Sequence, residues 1–377
     1  MHLPHAAGLM PTALALALFV TTSVAAFPTS ASAAEGQLPA AVAPARSVAA
    51  ADDEKSVYEA RFTGLAMGTI VSAKLYAADE KTAAGLANRF EEKVAAYETL
   101  FTVRGDGPLN DVNKNAGVWR MVDCRIASLV AQAKVVARDA DRAFEPTIGP
   151  LVNVWKIGFG GHSRPSDADI KAALHKVDYT KIAVDETPGA CRIRIDPGQS
   201  IDLGAIAKGW IGTALASDMK EAGATSGIID LGGNVSLIGS SPAGVDWRIG
   251  VQRPDAERNT VMAVVEASGV SVITSGDYER KFESGGRTYG HILSPVTGEP
   301  ATTDLGSVTI IDADGARADG WCTALFAAGS EKALALAQRE KLAVILASSD
   351  LKTLWVSRSI APKVTVLDKS MKIQVVP

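Results

Sequence analysis

The 377-residue chain is poor in cysteine, in aromatic residues and in excess charge of either sign. Its three cysteines, Cys124, Cys191 and Cys322, exclude a disulfide-stapled scaffold and leave room for one bridge at most. The 38 basic and 42 acidic residues give a formal charge of −4. This balance argues against nucleic acid as the main partner, because phosphate binding needs a basic surface.

Several common catalytic and nucleotide-binding motifs are also missing. The sequence contains no G-x-x-x-x-G-K-[ST] loop, no G-x-G-x-x-G after its first strand, no H-E-x-x-H and no G-x-S-x-G. These absences argue against the usual phosphate-binding loop, a dinucleotide-binding Rossmann unit and a zinc hydrolase site. A nucleotide site in this chain must be built in another way.

The first 33 residues have the composition of a secretory signal peptide. The apolar run at 13–20 is too short for a comfortable membrane span, and it precedes an A-x-A type of cleavage site at 30–33. Residues 34–55 are rich in Ala, Pro and Ser without apolar periodicity, which is typical of a flexible leader. We therefore expect export to a periplasm and a folded domain over 56–377. The alternative is an uncleaved membrane anchor.

Apolar spacing along the rest of the chain predicts strands in runs with helices between them. Steps of three and four mark an amphipathic helix over Glu80–Phe101. Further helices are predicted over 123–140, 167–176, 205–221, 316–328 and 331–340. The segment 104–115 is predicted as loop, and Pro146, Gly149 and Pro150 indicate a second long loop. This irregular mixture of helices and strands indicates an α+β fold.

Four segments combine glycines with acids or hydroxyls where helices start or strands end. They are 143–151, 201–209 with 230–234, 273–278 with 291–298, and 318–326. In the last, Asp319 and Thr323 lie four residues apart on a predicted helix, so both oxygens face the same way. This pair of hard oxygen donors suits Mg²⁺ shared with phosphates rather than zinc. The structural alternative is that Asp319 caps the helix and Thr323 bonds back to a carbonyl.

The other candidates also have ordinary structural interpretations. Asp202 fits the N-cap of the helix predicted from residue 205, and Lys208 fits a solvated helix charge. The pair Gly232-Gly233 fits either a tight turn or bare backbone that an anion can approach. A lone histidine such as His291 is by default a satisfied, partly buried side chain.

Taken together and in this order, the segments closely resemble the FAD:protein FMN transferase (ApbE) family over residues 62–329. The matching stretches are MGT at 67–69, EPTIGPL at 145–151, DLGAIAKG at 202–209, LGGN at 231–234, TSGDY at 274–278, HILSPxTG at 291–298, and Asp319 with Thr323. The specificity of the match comes from the number and order of these pieces.

The resemblance implies a transferase with a mixed, mainly antiparallel α+β fold and flanking helices. Such enzymes take FAD with Mg²⁺, attach its FMN half through a phosphoester to a Ser or Thr of a partner, and release AMP. Asp319, Thr323 and the backbone carbonyl of Ala205 fall where the family holds Mg²⁺. His291 falls where the family takes the proton from the acceptor hydroxyl. The residues that fall where the family contacts FAD are Met67, Ala143, Phe144, Glu145, Asp202, Lys208 and Leu293.

The resemblance also implies an acceptor that is a subunit of a membrane redox complex. The same residues leave two other functions open, a periplasmic FAD pyrophosphatase with water as acceptor and a non-catalytic FAD-binding carrier. The chain departs from the family at Val103, where many relatives carry an aromatic residue after the first long helix, and at 104–108, where a Ser-bearing stretch is common. In an oxidising compartment a Cys124–Cys191 bridge can form, which the sequence alone does not test.

Overall fold

A computed structural model of the protein describes residues 45–51, 57–257, 260–277 and 280–377. The signal peptide predicted over 1–33 and most of the leader predicted over 34–55 lie outside the described residues. Over these ranges, no helix combines the length and the apolar content that a membrane span requires.

The described residues form eight α-helices. They are α1 Glu80–Phe101, α2 Pro108–Lys114, α3 Cys124–Asp139, α4 Gly149–Trp155, α5 Asp167–Leu174, α6 Ala207–Glu221, α7 Gly315–Ala328 and α8 Ser330–Arg339. Helix α1 has the predicted bounds, and the side chain of its N-cap residue, Asp79, accepts a hydrogen bond from the Thr82 N–H at 2.8 Å. The other five predicted helices are also present, with ends shifted by up to two residues.

Two helices occupy segments that the sequence analysis predicts as loop, so the prediction is wrong there. Helix α2 begins with Pro108, and its Leu109 and Val112 are fully buried. Helix α4 carries Pro150 in its first turn, where a missing N–H costs no helical hydrogen bond, and buries Trp155. Seven-residue helices are too short to show apolar periodicity, so the Gly, Asn and Asp content of 104–115 and the Pro and Gly residues at 146–150 indicated loops instead.

The described residues also contain eighteen strands. They are β1 Ala45–Ala51, β2 Val57–Ala66, β3 Thr69–Ala77, β4 Arg120–Met121, β5 Ala183–Asp185, β6 Arg192–Arg194, β7 Ser226–Leu231, β8 Asn234–Ile238, β9 Trp247–Gln252, β10 Val261–Ala267, β11 Ser271–Ser275, β12 Lys281–Ser284, β13 Arg287–Gly290, β14 Leu305–Asp312, β15 Ala343–Ser348, β16 Thr353–Ser357, β17 Val364–Val366 and β18 Lys372–Val376. Ten form a sheet in the order β1-β2-β3-β7-β8-β11-β14-β15-β16-β18, with only the β16–β18 pair parallel. The predicted α+β fold with mainly antiparallel sheets is confirmed.

Strand β1 lies inside the segment predicted as a leader. It pairs with β2 in antiparallel register from Ala45 opposite Thr63 to Ala51 opposite Val57. Strand pairing therefore starts upstream of residue 56, where the sequence analysis places the beginning of the folded domain. This edge strand is defined by its backbone pairing with β2, which does not need an apolar side-chain pattern. The composition of the segment therefore did not predict a strand.

Helices and a smaller sheet cover the two faces of the ten-stranded sheet. Neighbours such as Leu75 and Tyr76 belong to different buried clusters, as expected where successive side chains point to opposite faces. One cluster lies between the sheet and helices α1, α3, α6 and α7, and the other lies against the β9–β10–β17 sheet. A third cluster packs α4 and α5 against the β12–β13 hairpin and includes Trp155 and Tyr289.

Cys124 and Cys191 form a disulfide, with their Cα atoms 5.1 Å apart. The bridge joins the first residue of α3 to the residue before β6 and closes a loop with a sequence separation of 67. This loop contains the predicted FAD-contacting residues 143–145. Cys322 is a buried free thiol on α7.

Candidate active site

A cleft of about 910 Å³ opens between the β2–β3 turn, the 143–157 segment, the first turn of α6 and helix α7. All eleven residues that the sequence analysis singles out line it. They are Met67, Ala143, Phe144, Glu145, Asp202, Ala205, Lys208, His291, Leu293, Asp319 and Thr323. The fold therefore brings together segments that are more than half the chain apart, while the role of each residue stays a prediction.

Helices α6 and α7 cross at two glycines beside the cleft. A Cβ on Gly209 would collide with the carbonyl oxygen of Gly315, and a Cβ on Gly315 would collide with that of Gly209. Only glycine at both positions lets the backbones approach so closely. The crossing places Asp319 of α7 against the first turn of α6, where its Oδ2 accepts a hydrogen bond from the Gly209 N–H at 2.9 Å.

Asp319 supplies the cap that α6 lacks at its own N-terminus. The N-cap residue, Ile206, has no side-chain acceptor, so the Asp319 carboxylate satisfies an N–H group of the first turn from another helix. Asp319 is 4 % exposed, and burial raises its pKa, while Lys208, the Gly209 N–H and Asn234 act in the opposite direction. The structural alternative is therefore right in part, because Asp319 does cap a helix, although not its own.

Two further expectations for this region are corrected. Helix α6 begins at Ala207 rather than 205, and Asp202 does not cap it. Instead, the Asp202 carboxylate accepts a hydrogen bond from the Gly204 N–H at 2.8 Å. Burial raises the pKa of Asp202, and the charges of Arg104 and Arg280 oppose that rise. An aspartate followed two residues later by glycine forms such a local turn as readily as it caps a helix.

Thr323 lies one helical turn after Asp319 and lines the same cleft. Within the described part of the chain its hydroxyl has no hydrogen-bond partner, so the back-bond to a carbonyl is not formed. No group of three or more His, Cys, Asp or Glu side chains that could hold a metal ion occurs among the described residues. The oxygen atoms that the predicted metal ligands bring to this cleft are one carboxylate, one hydroxyl and the backbone carbonyl of Ala205.

Glu145 uses its carboxylate inside the wall of the cleft. Oε1 accepts hydrogen bonds from the N–H and the hydroxyl of Thr147 at 2.9 and 2.7 Å, and Oε2 accepts one from the Tyr179 N–H at 3.1 Å. Burial raises the pKa of Glu145, and these hydrogen bonds oppose the rise. The wall is also joined to the 202–208 segment, because the Asp202 N–H donates to the Pro146 carbonyl at 2.9 Å.

Met67 and Gly68 form the two-residue turn between β2 and β3. Both have positive φ, 53° and 69°, and this conformation is uncommon for a residue other than glycine. The Met67 N–H donates to Oε1 of Glu98 on α1 at 2.6 Å. This hydrogen bond ties the turn to the helix and keeps Met67 at the edge of the cleft.

His291 faces the cleft in its neutral form. Burial, followed by the charges of Arg280 and Lys208, lowers the pKa of His291 to about 4. Its backbone N–H donates to the Arg280 carbonyl at 3.1 Å, whereas Nδ1 is buried without a hydrogen-bond partner among the described residues. His291 is therefore not the satisfied core histidine of the default interpretation, and a neutral imidazole can accept a proton at pH 7.

The mouth of the cleft consists of Arg104, Phe159 and Arg280. The guanidinium carbon of Arg104 lies 3.3 Å from the centroid of the Phe159 ring, and that of Arg280 lies 5.2 Å from it. Sequence reasoning missed Phe159 and Arg280 as site residues. Only their charge and aromatic type could have pointed to them, and residues of those types are common on any surface.

Comparison with known proteins agrees with the resemblance seen in the sequence. The profile of the ApbE family matches residues 67–346. An FAD:protein FMN transferase from Klebsiella pneumoniae is 38 % identical over 293 residues, covering 77 % of this chain and 89 % of the relative. Another from Salmonella typhimurium is 32 % identical over 291 residues, covering 75 % and 82 %.

Solved structures show the same fold. The ApbE protein from Thermotoga maritima has a TM-score of 0.73 and 29 % identity, covering 81 % of this chain and 99 % of its own. The flavinyl transferase ApbE from Pseudomonas stutzeri has a TM-score of 0.68 and 30 % identity, covering 78 % and 93 %. The fold and its relatives define an enzyme of the transferase class. The chain belongs to the ApbE family.

Proposed function

We propose that this protein transfers the FMN half of FAD to a Ser or Thr hydroxyl of an acceptor protein. The observation that carries the proposal is the convergence of all eleven predicted site residues on one cleft. The relatives from K. pneumoniae and S. typhimurium, both FAD:protein FMN transferases, supply the substrate and the type of reaction.

Mg²⁺ fits the donor set beside Asp319. Asp319 offers a buried carboxylate, and Thr323 offers a hydroxyl that no described residue engages. Mg²⁺ prefers such hard oxygen donors and usually takes few protein ligands, leaving positions for phosphate oxygens. We propose that Asp319, Thr323 and the backbone carbonyl of Ala205 hold it. When bound, it neutralises the negative charge that develops as a diphosphate is cleaved.

Lys208 supplies a positive charge to the cleft. Lys208 lines the same cleft as Asp319 and His291, where its charge opposes the rise in the pKa of Asp319 and adds to the fall in the pKa of His291. A fixed positive charge there favours a bound diphosphate and stabilises the charge that spreads over its oxygens during transfer. We assign this electrostatic role to Lys208.

His291 serves as the general base in the proposed reaction. The acceptor oxygen forms a bond to the phosphorus of the FMN half, and the anhydride bond to the AMP phosphate breaks. AMP leaves with the bond electrons, and the hydroxyl proton moves to the imidazole. A pKa of about 4 keeps this imidazole unprotonated at pH 7, and the proton returns to water after each turnover.

The proposed setting of the reaction is the periplasm, with a membrane redox subunit as acceptor. The apolar run at 13–20 and the cleavage site at 30–33 support export. The Cys124–Cys191 disulfide also supports it, because disulfides persist mainly in oxidising compartments.

The test is to incubate the purified protein with FAD, Mg²⁺ and an acceptor domain carrying a candidate Ser or Thr. Transfer predicts flavin fluorescence that stays with the denatured acceptor, together with an equal amount of AMP. An acceptor with Ala at that Ser or Thr is the control. AMP released without an acceptor would instead identify the FAD pyrophosphatase, and intact bound FAD would identify the carrier.

A further inference from the structure

Asp277 packs its carboxyl group against the α-carbon of Gly290, the last residue of β13. A Cβ on Gly290 would lie 2.5 and 2.6 Å from the two oxygens of this carboxyl group. Gly290 is not among the glycines with positive φ, so its backbone conformation does not require glycine. Glycine at this position leaves the space of a side chain to the Asp277 carboxyl group, which packs directly against the backbone.

Burial of this carboxyl group lowers the stability of the fold. Asp277 Oδ1 is buried without a hydrogen-bond partner among the described residues. Burial raises the pKa of Asp277 to about 6, while the Ile292 N–H and the charge of Lys281 favour the ionised form. An unsatisfied buried carboxylate oxygen destabilises a fold, so its presence calls for an explanation other than stability.

The two backbone sites that Asp277 engages flank His291. The carboxyl group packs against Gly290 on one side, and on the other the Ile292 N–H lowers the pKa of Asp277 against the effect of burial. The charges that lower the pKa of the imidazole are those of Arg280 and Lys208. The contact that Asp277 makes here is with the backbone next to His291.

We propose that Asp277 is a positioning residue that holds the backbone of residues 290–292 in the place from which His291 reaches the acceptor hydroxyl. This inference rests on the function proposed above. Asp277 belongs to the TSGDY stretch at 274–278, to which the sequence analysis gives no individual role, and the inference gives it a role in orienting His291. A displacement of a general base by about 1 Å can cost a hundredfold in rate, so holding this backbone in place has a large effect.

The test measures transfer kinetics and the ring resonances of His291 in the FAD-free protein, assigned with a His291→Asn variant. We expect Asp277→Ala to lower kcat by about tenfold or more, leave the KM for FAD within about twofold, and shift the His291 resonances. Asp277→Asn should recover most of kcat, because its amide oxygen can still accept from the Ile292 N–H. Glu283→Gln, on the exposed β12 strand of the same hairpin, is the matched control and should change neither readout.

A double-mutant cycle tests the contact itself. Gly290→Ala should lower kcat in the otherwise wild-type protein, where the new methyl group meets the carboxyl oxygens of Asp277. In the Asp277→Ala background that space is free, so the same change should lower kcat little further. Wild-type kcat in Asp277→Ala, or unshifted His291 resonances in a folded variant, would overturn the inference. If the wild type transfers no FMN, the proposed function fails, and the resonances still decide whether Asp277 positions His291.

Discussion

At the inner end of the cleft, Asp319 is 4 % exposed where two helices cross, whereas at the mouth Phe159 is 40 % exposed between two arginines. The inner end is determined by backbone contact, because neither Gly209 nor Gly315 tolerates a side chain. The mouth depends on long side chains that can take other rotamers. The comparison teaches that the proposed reaction centre is fixed by the fold, while the entrance can adapt to its ligands.

Asp319→Ala should have the largest effect on the inner end. It removes the proposed metal ligand together with the acceptor for the Gly209 N–H, so we expect turnover to fall by about a thousandfold or more. The measurement is AMP release with FAD, Mg²⁺ and acceptor. Asp314→Ala, which removes the N-cap of α7 itself, should cost about 1 kcal/mol of stability and retain turnover. Undiminished AMP release from Asp319→Ala would remove the metal assignment.

Removing the disulfide tests how much the loop that carries Phe159 of the mouth adds to the stability of the fold. Phe159 lies inside the loop that the Cys124–Cys191 bridge closes, whereas both glycines of the crossing lie outside it. We expect the Cys124→Ser, Cys191→Ser double variant to lose about 2–5 kcal/mol in free energy of unfolding. Denaturant titration with and without reductant measures this loss, since reductant should destabilise the wild type alone. Equal stability of the oxidised and reduced wild type would contradict the expectation.

Gly209→Ala tests the close helix crossing directly. The added methyl group would collide with the Gly315 carbonyl, and we expect a loss of about 1–3 kcal/mol in the free energy of unfolding. The matched control is Gly85→Ala on the exposed side of α1, where nothing lies within 4 Å of a new Cβ. That variant should gain about 0.5–1 kcal/mol, because alanine favours a helix over glycine. Similar changes in both variants would show that the crossing is not tight.

Arg280→Gln should give the smallest effect and concerns the mouth. Removal of a positive charge near His291 stabilises the protonated imidazole, so the pKa of His291 should rise from about 4 toward its ordinary value of 6.5. A pH titration of the His291 resonances measures the change. Arg287→Gln, whose guanidinium lies over the Tyr289 ring on the same hairpin, is the control and should leave that pKa in place. An unchanged pKa in Arg280→Gln would show that burial and the charge of Lys208 lower it without a contribution from Arg280.

The inner end could be predicted in part from the sequence, because the spacing of its residues within one helix is a local pattern. Asp319 lies beside a glycine and four residues before Thr323 on one helix, and this spacing predicts that the two side chains share a face. Helix α1 is long enough for its apolar periodicity to be recognised. The mouth could not be predicted from the sequence, because Arg104, Phe159 and Arg280 are far apart in the chain and meet only in the folded protein. The capping of α6 by Asp319 was missed for the same reason, because a cap from another helix leaves no spacing rule in the chain.

The bond from the Gly209 N–H to Asp319 also affects how related chains are interpreted. A descendant that no longer performed any chemistry would still need an acceptor at this place to close its helix. Retention of the acid in such a chain would then reflect architecture alone, and it could not serve as proof of turnover. The Thr323 hydroxyl makes no structural hydrogen bond to a described residue, so this position better distinguishes active enzymes from inactive relatives.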